Sequence, residues 1–245
     1  MAPGVIQALR SRLRPLRQSV TSAFTGWLPE QSLAHVEELR QYELEISLKL
    51  LPPSGRLLEI GAGVGWQARS LVSRGYDVSA IDVVDSFHKN DRIFPVLDYD
   101  GARIPFDDAS FDIVFSSNVL EHFAHVREFQ HEILRVLRPG GLCLHVLPSA
   151  SWRFWTTLTY PIRWHALPPP HGARARGAMV ETFYFSRWWW KRLFLQAGWD
   201  VVACRTNGLF YTGASLMDSR WSLGLRHRLS RFLGSACNIF LLRAR

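Results

Sequence analysis

Apolar runs of strand length alternate with runs of helical periodicity through the middle of the chain. Strand-like runs cover 56–61, 76–82, 111–117 and 141–147, and helix-like runs cover 66–74 and 125–138. This alternation is typical of an α/β domain in which helices sandwich a parallel sheet. Further along, the pattern predicts a helix over 187–197 and strands over 199–205 and 237–243.

The first 51 residues are predicted to be helical and to lie outside this alternation. Apolar residues recur at three- and four-residue steps from Ile6 to Phe24, with arginines on the other faces, and Pro15 is expected to split the stretch into two short helices. This basic amphipathic stretch is either an interfacial anchor on a membrane or an appendage packed on the core, and terminal helices more often do the second. A further helix is predicted from about Leu33 to Leu51, ended by Pro52-Pro53.

Charge is concentrated at the two ends. The chain of 245 residues has a formal net charge of +8, yet residues 1–29 and 219–245 hold ten arginines and no acidic residue. All 21 acidic residues and the other 19 basic residues therefore lie between 30 and 218, so the net charge of this part of the chain is near zero. Cationic ends can contact an anionic membrane surface, whereas a neutral body argues against a nucleic-acid partner.

The three cysteines, Cys143, Cys204 and Cys237, are far apart and odd in number. They support neither a disulfide framework nor a cluster of metal ligands, so we expect no metal and a reducing, cytoplasmic location, with peripheral membrane contact left open. No apolar run approaches the roughly 18 to 20 residues needed to cross a bilayer.

A glycine-rich turn follows the first strand of the alternation. The apolar run ends at Ile60 and leads into Gly61, Gly63 and Gly65, and 21 residues after Gly61 the next strand ends in Asp82. Glycines let the backbone bend sharply and approach a ligand, and an acidic residue at about this distance can accept both hydroxyls of a ribose. The sequence therefore predicts a nucleotide pocket.

The spacing of these glycines is G-x-G-x-G, and the dinucleotide fingerprint is G-x-G-x-x-G. A carboxylate, Glu59, also stands two residues before the first glycine. It would be an awkward neighbour for a pyrophosphate but is acceptable beside a cationic or zwitterionic ligand. Electrostatics thus disfavours a dinucleotide.

Together with Asp82, the glycine turn resembles motif I of the class I S-adenosylmethionine-dependent methyltransferases, and the chain looks like their type 11 group. Residues 100–106 and 110–122 resemble the family's adenine loop and fourth strand, and 134–142 resemble its helix, Pro-Gly-Gly turn and fifth strand. The resemblance covers about 55–148. It implies a Rossmann-like, doubly wound, mostly parallel seven-stranded sheet with helices on both faces and an antiparallel last strand.

The resemblance also implies S-adenosylmethionine as the cofactor and assigns residues to it. Those expected around its methionine and ribose parts are Glu59, Gly61, Ala62, Gly63, Gly65, Asp82 and Asn118. Glu59 is expected to orient the site indirectly or through the ligand's ammonium. Val83 is expected to pack on the adenine and Asp100 to accept from its amino group, while Gly101 leaves its backbone amide free. Asp100 as a turn former and Asn118 as a helix cap remain alternatives.

The segment 149–185 is too long to be a simple loop between the strand over 141–147 and the helix over 187–197, and it is rich in tryptophan and proline. We interpret it as an acceptor-binding insertion in a methyltransferase domain that spans 52–245. Methyl transfer to an alcohol needs a proton acceptor, and the candidates are His122, His171 and Glu181. His122 has a plainer explanation, because the family carries Leu-Glu-His whatever its acceptor. At least two of the three tryptophans at 188–190 are expected to pack in the core.

These features favour methyl transfer to a small-molecule or lipid-linked acceptor, and O-methylation of a surface-polysaccharide sugar is the preferred hypothesis. Methylation of a quinone or a lipid is the nearest alternative. A non-catalytic partner subunit of the same fold is a third hypothesis. A nucleobase acceptor is disfavoured, since the residues after Phe115 lack the Asn/Asp-Pro-Pro-Tyr pattern.

Overall fold

A computed structural model describes residues 30–173, 177–213 and 221–245. The helices of these ranges are α1 (Glu30–Leu48), α2 (Trp66–Val72), α3 (Val126–Val136), α4 (Ala150–Trp164), α5 (Ala178–Tyr184), α6 (Arg187–Gln196) and α7 (Leu223–Leu233). The strands are β1 (Gly55–Ile60), β2 (Tyr76–Val83), β3 (Leu97–Tyr99), β4 (Phe111–Ser117), β5 (Leu137–Pro148), β6 (Trp199–Thr206) and β7 (Cys237–Ala244). Short 3₁₀ turns cover Lys89–Asp91 and Leu120–His122. The amphipathic stretch predicted between residues 6 and 24 lies outside the described residues.

The seven strands form one sheet in the order β3-β2-β1-β4-β5-β7-β6. β1 pairs in parallel with both β2 and β4, and β7 pairs antiparallel with both β5 and β6. The predicted doubly wound, mostly parallel sheet with an antiparallel last strand is confirmed. Strand order reverses between β1 and β4, and in such sheets the crevice beyond the carboxyl ends of these strands is where ligands bind.

Alternate residues of the central strands pack into two separate layers of core. Leu58 of β1 lies in a cluster with Ile133 of α3 and Phe194 of α6, on one face of the sheet. Leu57 lies in the other cluster with Leu44 of α1, on the opposite face. The period-two alternation of side chains along a strand explains this division, and helices cover both faces as expected.

Several elements differ from the sequence-based expectation. The insertion contains two helices, α4 and α5, and Ser149 caps the start of α4, where its hydroxyl accepts a hydrogen bond from the backbone N–H of Trp152 at 3.0 Å. β3 and α7 were not predicted, because β3 is only three residues long and the apolar positions of α7 are interrupted by arginines. The predicted helix over 125–138 ends at Val136, where β5 begins directly.

No helix among the described ranges is both long and apolar enough to span a bilayer.

Candidate functional site

The glycine turn after β1 is held against the end of β2. The backbone N–H groups of Gly61 and Ala62 both donate to the Ile81 carbonyl, at 2.9 and 3.1 Å. Gly61, Gly63 and Gly65 all have positive φ, which other residues rarely adopt. A Cβ on Gly61 would lie 2.3 Å from Val119, so the close approach of the turn to the segment after β4 requires glycine.

Residues that follow β2 lie over the same turn. A Cβ on Gly65 would lie 2.5 Å from Cβ of Phe94, and one on Gly63 would lie 3.4 Å from the His88 ring. Neither Phe94 nor His88 was singled out from the sequence, because nothing in the pattern places the segment after β2 over the turn. The glycine turn is therefore lined by the segments that follow β2 and β4.

Asp82, the acidic residue predicted to bind ribose, lies beside the glycine turn and is largely buried. Its Oδ2 accepts hydrogen bonds from the Gly63 N–H at 2.9 Å and the Ser86 hydroxyl at 2.9 Å, and its Oδ1 accepts from the Val83 N–H at 2.8 Å. A carboxylate offers about four acceptor positions, so three are already used. A ribose that placed both hydroxyls on Asp82 would therefore displace the Ser86 hydroxyl.

Glu59 is buried within β1, just before the turn. Burial raises the pKa of its carboxyl group to about 8, and the nearby charge of Asp82 adds to this effect, while a hydrogen bond from the Ala68 backbone opposes it. Its Oε2 has no hydrogen-bond partner among the described residues. This unpartnered oxygen, just before the glycine turn, fits a ligand group that donates a hydrogen bond, such as the ammonium of S-adenosylmethionine.

The residues expected around the adenine lie at the neighbouring strand ends. Val83 is partly exposed, and a Cβ on Gly101 would lie 3.3 Å from Cγ1 of Val83. Asp100 is exposed, and its Oδ1 accepts from the N–H groups of Ala102 and Arg103 at 2.8 and 2.9 Å, which lowers the pKa of its carboxyl. Asp100 therefore acts as a turn former, the alternative noted above, and it uses only its Oδ1 for these hydrogen bonds.

Asn118 directly follows β4 and has a φ of 55°. Its backbone N–H donates to the Val146 carbonyl at 2.8 Å, and its neighbour Val119 contacts the glycine turn. Asn tolerates this left-handed conformation better than most residues. The structure thus brings Asn118 next to the turn, in line with its expected place near the methionine part of the cofactor.

Two of the candidate bases, His122 and His171, meet beyond the end of β4. Their ring centroids are 5.1 Å apart, and Oε1 of Glu121 lies 3.8 Å from Nε2 of each ring. The Trp152 ring of α4 lies 4.7 Å from the His171 ring. Burial, which outweighs the attraction of Glu121, lowers the pKa of His122, so its imidazole is neutral at neutral pH.

Glu181 fastens the loop that carries His171. Its Oε1 accepts from the backbone N–H groups of His171 and Gly172 at 2.6 and 2.8 Å, and its Oε2 pairs with Arg153 of α4 at 2.5 Å. Arg153 also donates to the Pro169 carbonyl at 3.1 Å. Both charged side chains are buried. This arrangement suits a residue that positions His171, and differs from the expectation of Glu181 as a proton acceptor for substrate.

Sequence reasoning missed two members of this arrangement. Glu121 stood in the Leu-Glu-His segment without a role, and Arg153 was not singled out at all. Their partners lie far along the chain, so only folding reveals the pairs. Of the three tryptophans at 188–190, Trp190 is buried, Trp189 packs partly against the core and Trp188 is exposed, as expected for three consecutive helical positions.

Comparisons with known proteins agree with this geometry. A family described as "Methyltransferase domain" matches residues 58–145. An uncharacterized methyltransferase of Mycobacterium sp. (strain KMS) is 33% identical over 140 residues, which cover 55% of this chain and 53% of that protein. The biotin biosynthesis bifunctional protein BioHC of Cellvibrio japonicus is 34% identical over 91 residues, 35% of this chain and 18% of that protein. The chain thus spans about half the length of the mycobacterial relative and less of the bifunctional one.

Solved structures share the fold at low identity. An S-adenosylmethionine-dependent methyltransferase from Mesorhizobium loti matches with a TM-score of 0.56 and 17% identity, over 82% of this chain and 97% of that one. A chain from a complex that contains the Haloferax volcanii Trm112 methyltransferase activator matches with a TM-score of 0.60 and 17% identity, over 90% of this chain and 95% of that one. Residues 58–145 thus match a methyltransferase-domain family, the chain shares the fold of solved S-adenosylmethionine-dependent methyltransferases, and S-adenosylmethionine is the cofactor that these relatives indicate.

Proposed function

We propose that this chain transfers a methyl group from S-adenosylmethionine to a hydroxyl group of a small-molecule or lipid-linked acceptor. The observation that carries the proposal is the placement of Asp82 beside the glycine turn, with His122 and His171 beyond the next strand of the same sheet edge. A cofactor cradle and two imidazoles at one crevice are what methyl transfer to an alcohol needs.

The cofactor residues would hold and orient the methyl donor. Bound S-adenosylmethionine supplies an electrophilic methyl group on a sulfonium. The cofactor would lie along the glycine turn, Asp82 would accept from its ribose, and Asn118 lies where its methionine part would end. Alignment of the acceptor oxygen with the carbon–sulfur bond, and exclusion of water, supply most of the rate enhancement for such a displacement.

His122 is the group we propose as proton acceptor. Its lowered pKa keeps the imidazole neutral, and half of its side chain is exposed, so it can reach an acceptor hydroxyl. His171 lies against the His122 ring and would share or orient the proton. Glu181 acts through His171, because it holds the backbone of that loop and not its ring.

The surface of the insertion supports a lipid-linked acceptor. Phe154, Leu158 and Ile162 recur every fourth residue on α4, and each is more than half exposed. The same helix places Trp152 against His171, and a flat indole face suits a sugar ring. A lipid-linked saccharide of a surface polysaccharide is therefore the acceptor we favour, and the apolar stripe supports a quinone or lipid as the second candidate. The basic termini would strengthen contact with an anionic membrane.

A partner-subunit role for the chain is the remaining alternative. A non-catalytic partner would show no turnover with any acceptor, even with cofactor bound.

The first experiment is calorimetric titration of the full chain with S-adenosylmethionine. We expect micromolar affinity, the general scale of such cofactors, and a loss of at least about tenfold in Asp82→Ala, because the ribose loses its acceptor. Asp77→Ala is the matched control, since Asp77 lies at the opposite end of β2 and is exposed. Unchanged affinity in Asp82→Ala would refute the ribose assignment.

The second experiment identifies the acceptor. Cell extracts and their lipid fraction are incubated with the enzyme and cofactor labelled in its methyl group, and labelled products are found by mass shift. His122→Ala should lower turnover without weakening cofactor affinity, because the imidazole acts on the acceptor. Equal turnover in this variant would remove His122 as the base.

A further inference from the structure

We infer that Glu121, His122 and His171 bind a divalent first-row transition-metal ion. The sequence led us to expect no metal, because that expectation rested on the spacing of the cysteines. The inference goes beyond the proposed methyl transfer and does not rest on it. A bound ion would occupy a ring nitrogen of His122, and a metal-bound hydroxide would then take over the proton-acceptor role proposed for that imidazole.

The donor atoms converge. One carboxylate oxygen of Glu121 and one ring nitrogen from each histidine all lie within 4.8 Å of one another. Oε1 of Glu121 lies 3.8 Å from Nε2 of each ring. Ligands of a tetrahedral zinc ion are about 3.4 Å apart, given bond lengths near 2.1 Å. Closing around an ion therefore needs each glutamate–histidine distance to shorten by about 0.4 Å and the distance between the two ring nitrogens to shorten by up to about 1.4 Å, and both histidine side chains are partly exposed and can move.

Glu121 is the observation that points to a ligand. Its side chain is fully buried, and neither oxygen accepts a hydrogen bond among the described residues. A buried carboxylate without partners is costly, and an ion or an ordered water usually explains it. A cavity of about 10 Å³ beside Glu121 has room for one water. Neither histidine lines this cavity, so a water there would not lie between Glu121 and the two imidazole rings.

The residues around the cluster hold its ligands in place. The carbonyl of Glu121 accepts from the Ala173 N–H at 3.0 Å, and Glu181 accepts from the N–H groups of His171 and Gly172. A Cβ on Gly172 would lie 2.8 Å from the Glu121 carbonyl oxygen, so glycine permits the close approach of this loop. The Pro-His-Gly loop is thus docked on the backbone of one ligand while it presents another. Supporting contacts of this kind are typical of metal sites.

The donor set fits the class of ion. Two imidazoles and one carboxylate suit zinc and iron better than magnesium or calcium, which prefer oxygen ligands. Three protein ligands leave a coordination position open, where a water or an acceptor hydroxyl can bind and be polarised.

The test uses the tag-free full chain, treated with a chelator and then titrated with Co²⁺ in the absence of S-adenosylmethionine. We expect one equivalent to bind with visible d–d absorption, and Zn²⁺ to displace it. Excess Zn²⁺ should raise Tm by about 5 °C, because an ion that binds the folded state stabilises it. Glu121→Gln and His171→Ala should each weaken Co²⁺ binding at least about tenfold and abolish the zinc-dependent rise in Tm.

His131→Ala is the matched control, because His131 is an exposed histidine of α3 outside the cluster. It should bind Co²⁺ as the wild type does. Absence of the absorption band in the wild type overturns the inference whatever the variants do. Wild-type affinity in Glu121→Gln and His171→Ala, or equal loss in His131→Ala, also overturns it. Calorimetry with S-adenosylmethionine on metal-free protein tests the proposed function separately.

Discussion

At the scale of single residues, two carboxylates near one turn have opposite environments. Asp82 accepts three hydrogen bonds from its surroundings, whereas Glu59 is buried with an unpartnered oxygen. The difference follows from position, since Asp82 lies near the end of β2 beside N–H groups that donate to it, and Glu59 lies inside β1. Sequence spacing marked both as acidic residues near glycines, but only the structure shows that their hydrogen-bond partners differ.

Glu59→Gln should change how stability depends on pH. The folded-state pKa of Glu59, about 8, lies above its ordinary value of 4.5, so the folded protein binds an extra proton between these values. The free energy of unfolding of the wild type should therefore fall as pH rises from about 4.5 to about 8, by an amount on the order of 3 kcal/mol. In Glu59→Gln the side chain is neutral at every pH, so this decrease in the free energy of unfolding should disappear. Denaturant melts of the wild type and the variant at pH 5 and pH 8 measure the decrease.

Glu128→Gln is the control for this titration, because Glu128 is exposed on α3. It should keep the wild-type difference between the two pH values. If Glu59→Gln keeps that difference as well, Glu59 is ionised in the folded protein and the assigned charge state is wrong.

At the scale of elements, α4 has two faces with different partners. Its inward residues Trp152 and Arg153 contact His171 and Glu181, and its outward residues form the apolar stripe at 154, 158 and 162. Helical periodicity puts residues four apart on one face, so the helix can contact a membrane surface while it supports the site. The sequence showed the aromatic content of this segment but did not predict the helix.

The double variant Phe154→Gln/Leu158→Gln should lose membrane affinity. The wild-type side chains of Phe154 and Leu158 are large and apolar and are 54% and 55% exposed, so each can move from water into lipid on binding. The glutamines lack this apolar surface. Binding should fall at least about tenfold. Flotation with anionic liposomes measures the bound fraction.

Val72→Gln serves as the control, since Val72 is an exposed apolar residue on α2. Its flotation should equal that of the wild type. Equal flotation of the Phe154/Leu158 double variant and the wild type would show that α4 does not contact the lipid, and deletion of residues 1–24 would then test the basic N-terminus alone.

At the scale of the whole molecule, a buried ion pair joins the insertion to the site. Arg153 and Glu181 are 28 residues apart in sequence and pair with almost no solvent contact. Removing one partner leaves an unpaired buried charge. The pair therefore fixes α4, α5 and the loop of His171 relative to one another.

Glu181→Gln should destabilise the fold by about 3–5 kcal/mol, because Arg153 keeps a buried charge without a counter-ion. The double variant Arg153→Met/Glu181→Gln should lose less than the sum of the single losses. Urea melts measure both. Arg245→Met removes an exposed pair with Asp200 and should cost less than about 1 kcal/mol. A loss in Glu181→Gln no larger than that of Arg245→Met would contradict this role.

The sequence by itself predicted the sheet, the glycine turn and the resemblance to methyltransferases, because these depend on local patterns. Apolar runs of strand length, a glycine-rich turn and an acidic residue at the end of the next strand are each recognised within about 30 residues. Only the tertiary structure decided that burial raises the pKa of Glu59, and which distant residues meet. Glu121, His122 and His171 form one cluster, and Arg153 holds Glu181, because the sheet order and the docked insertion bring remote segments together. Sequence spacing carries no information about such contacts, since they form only when the core packs.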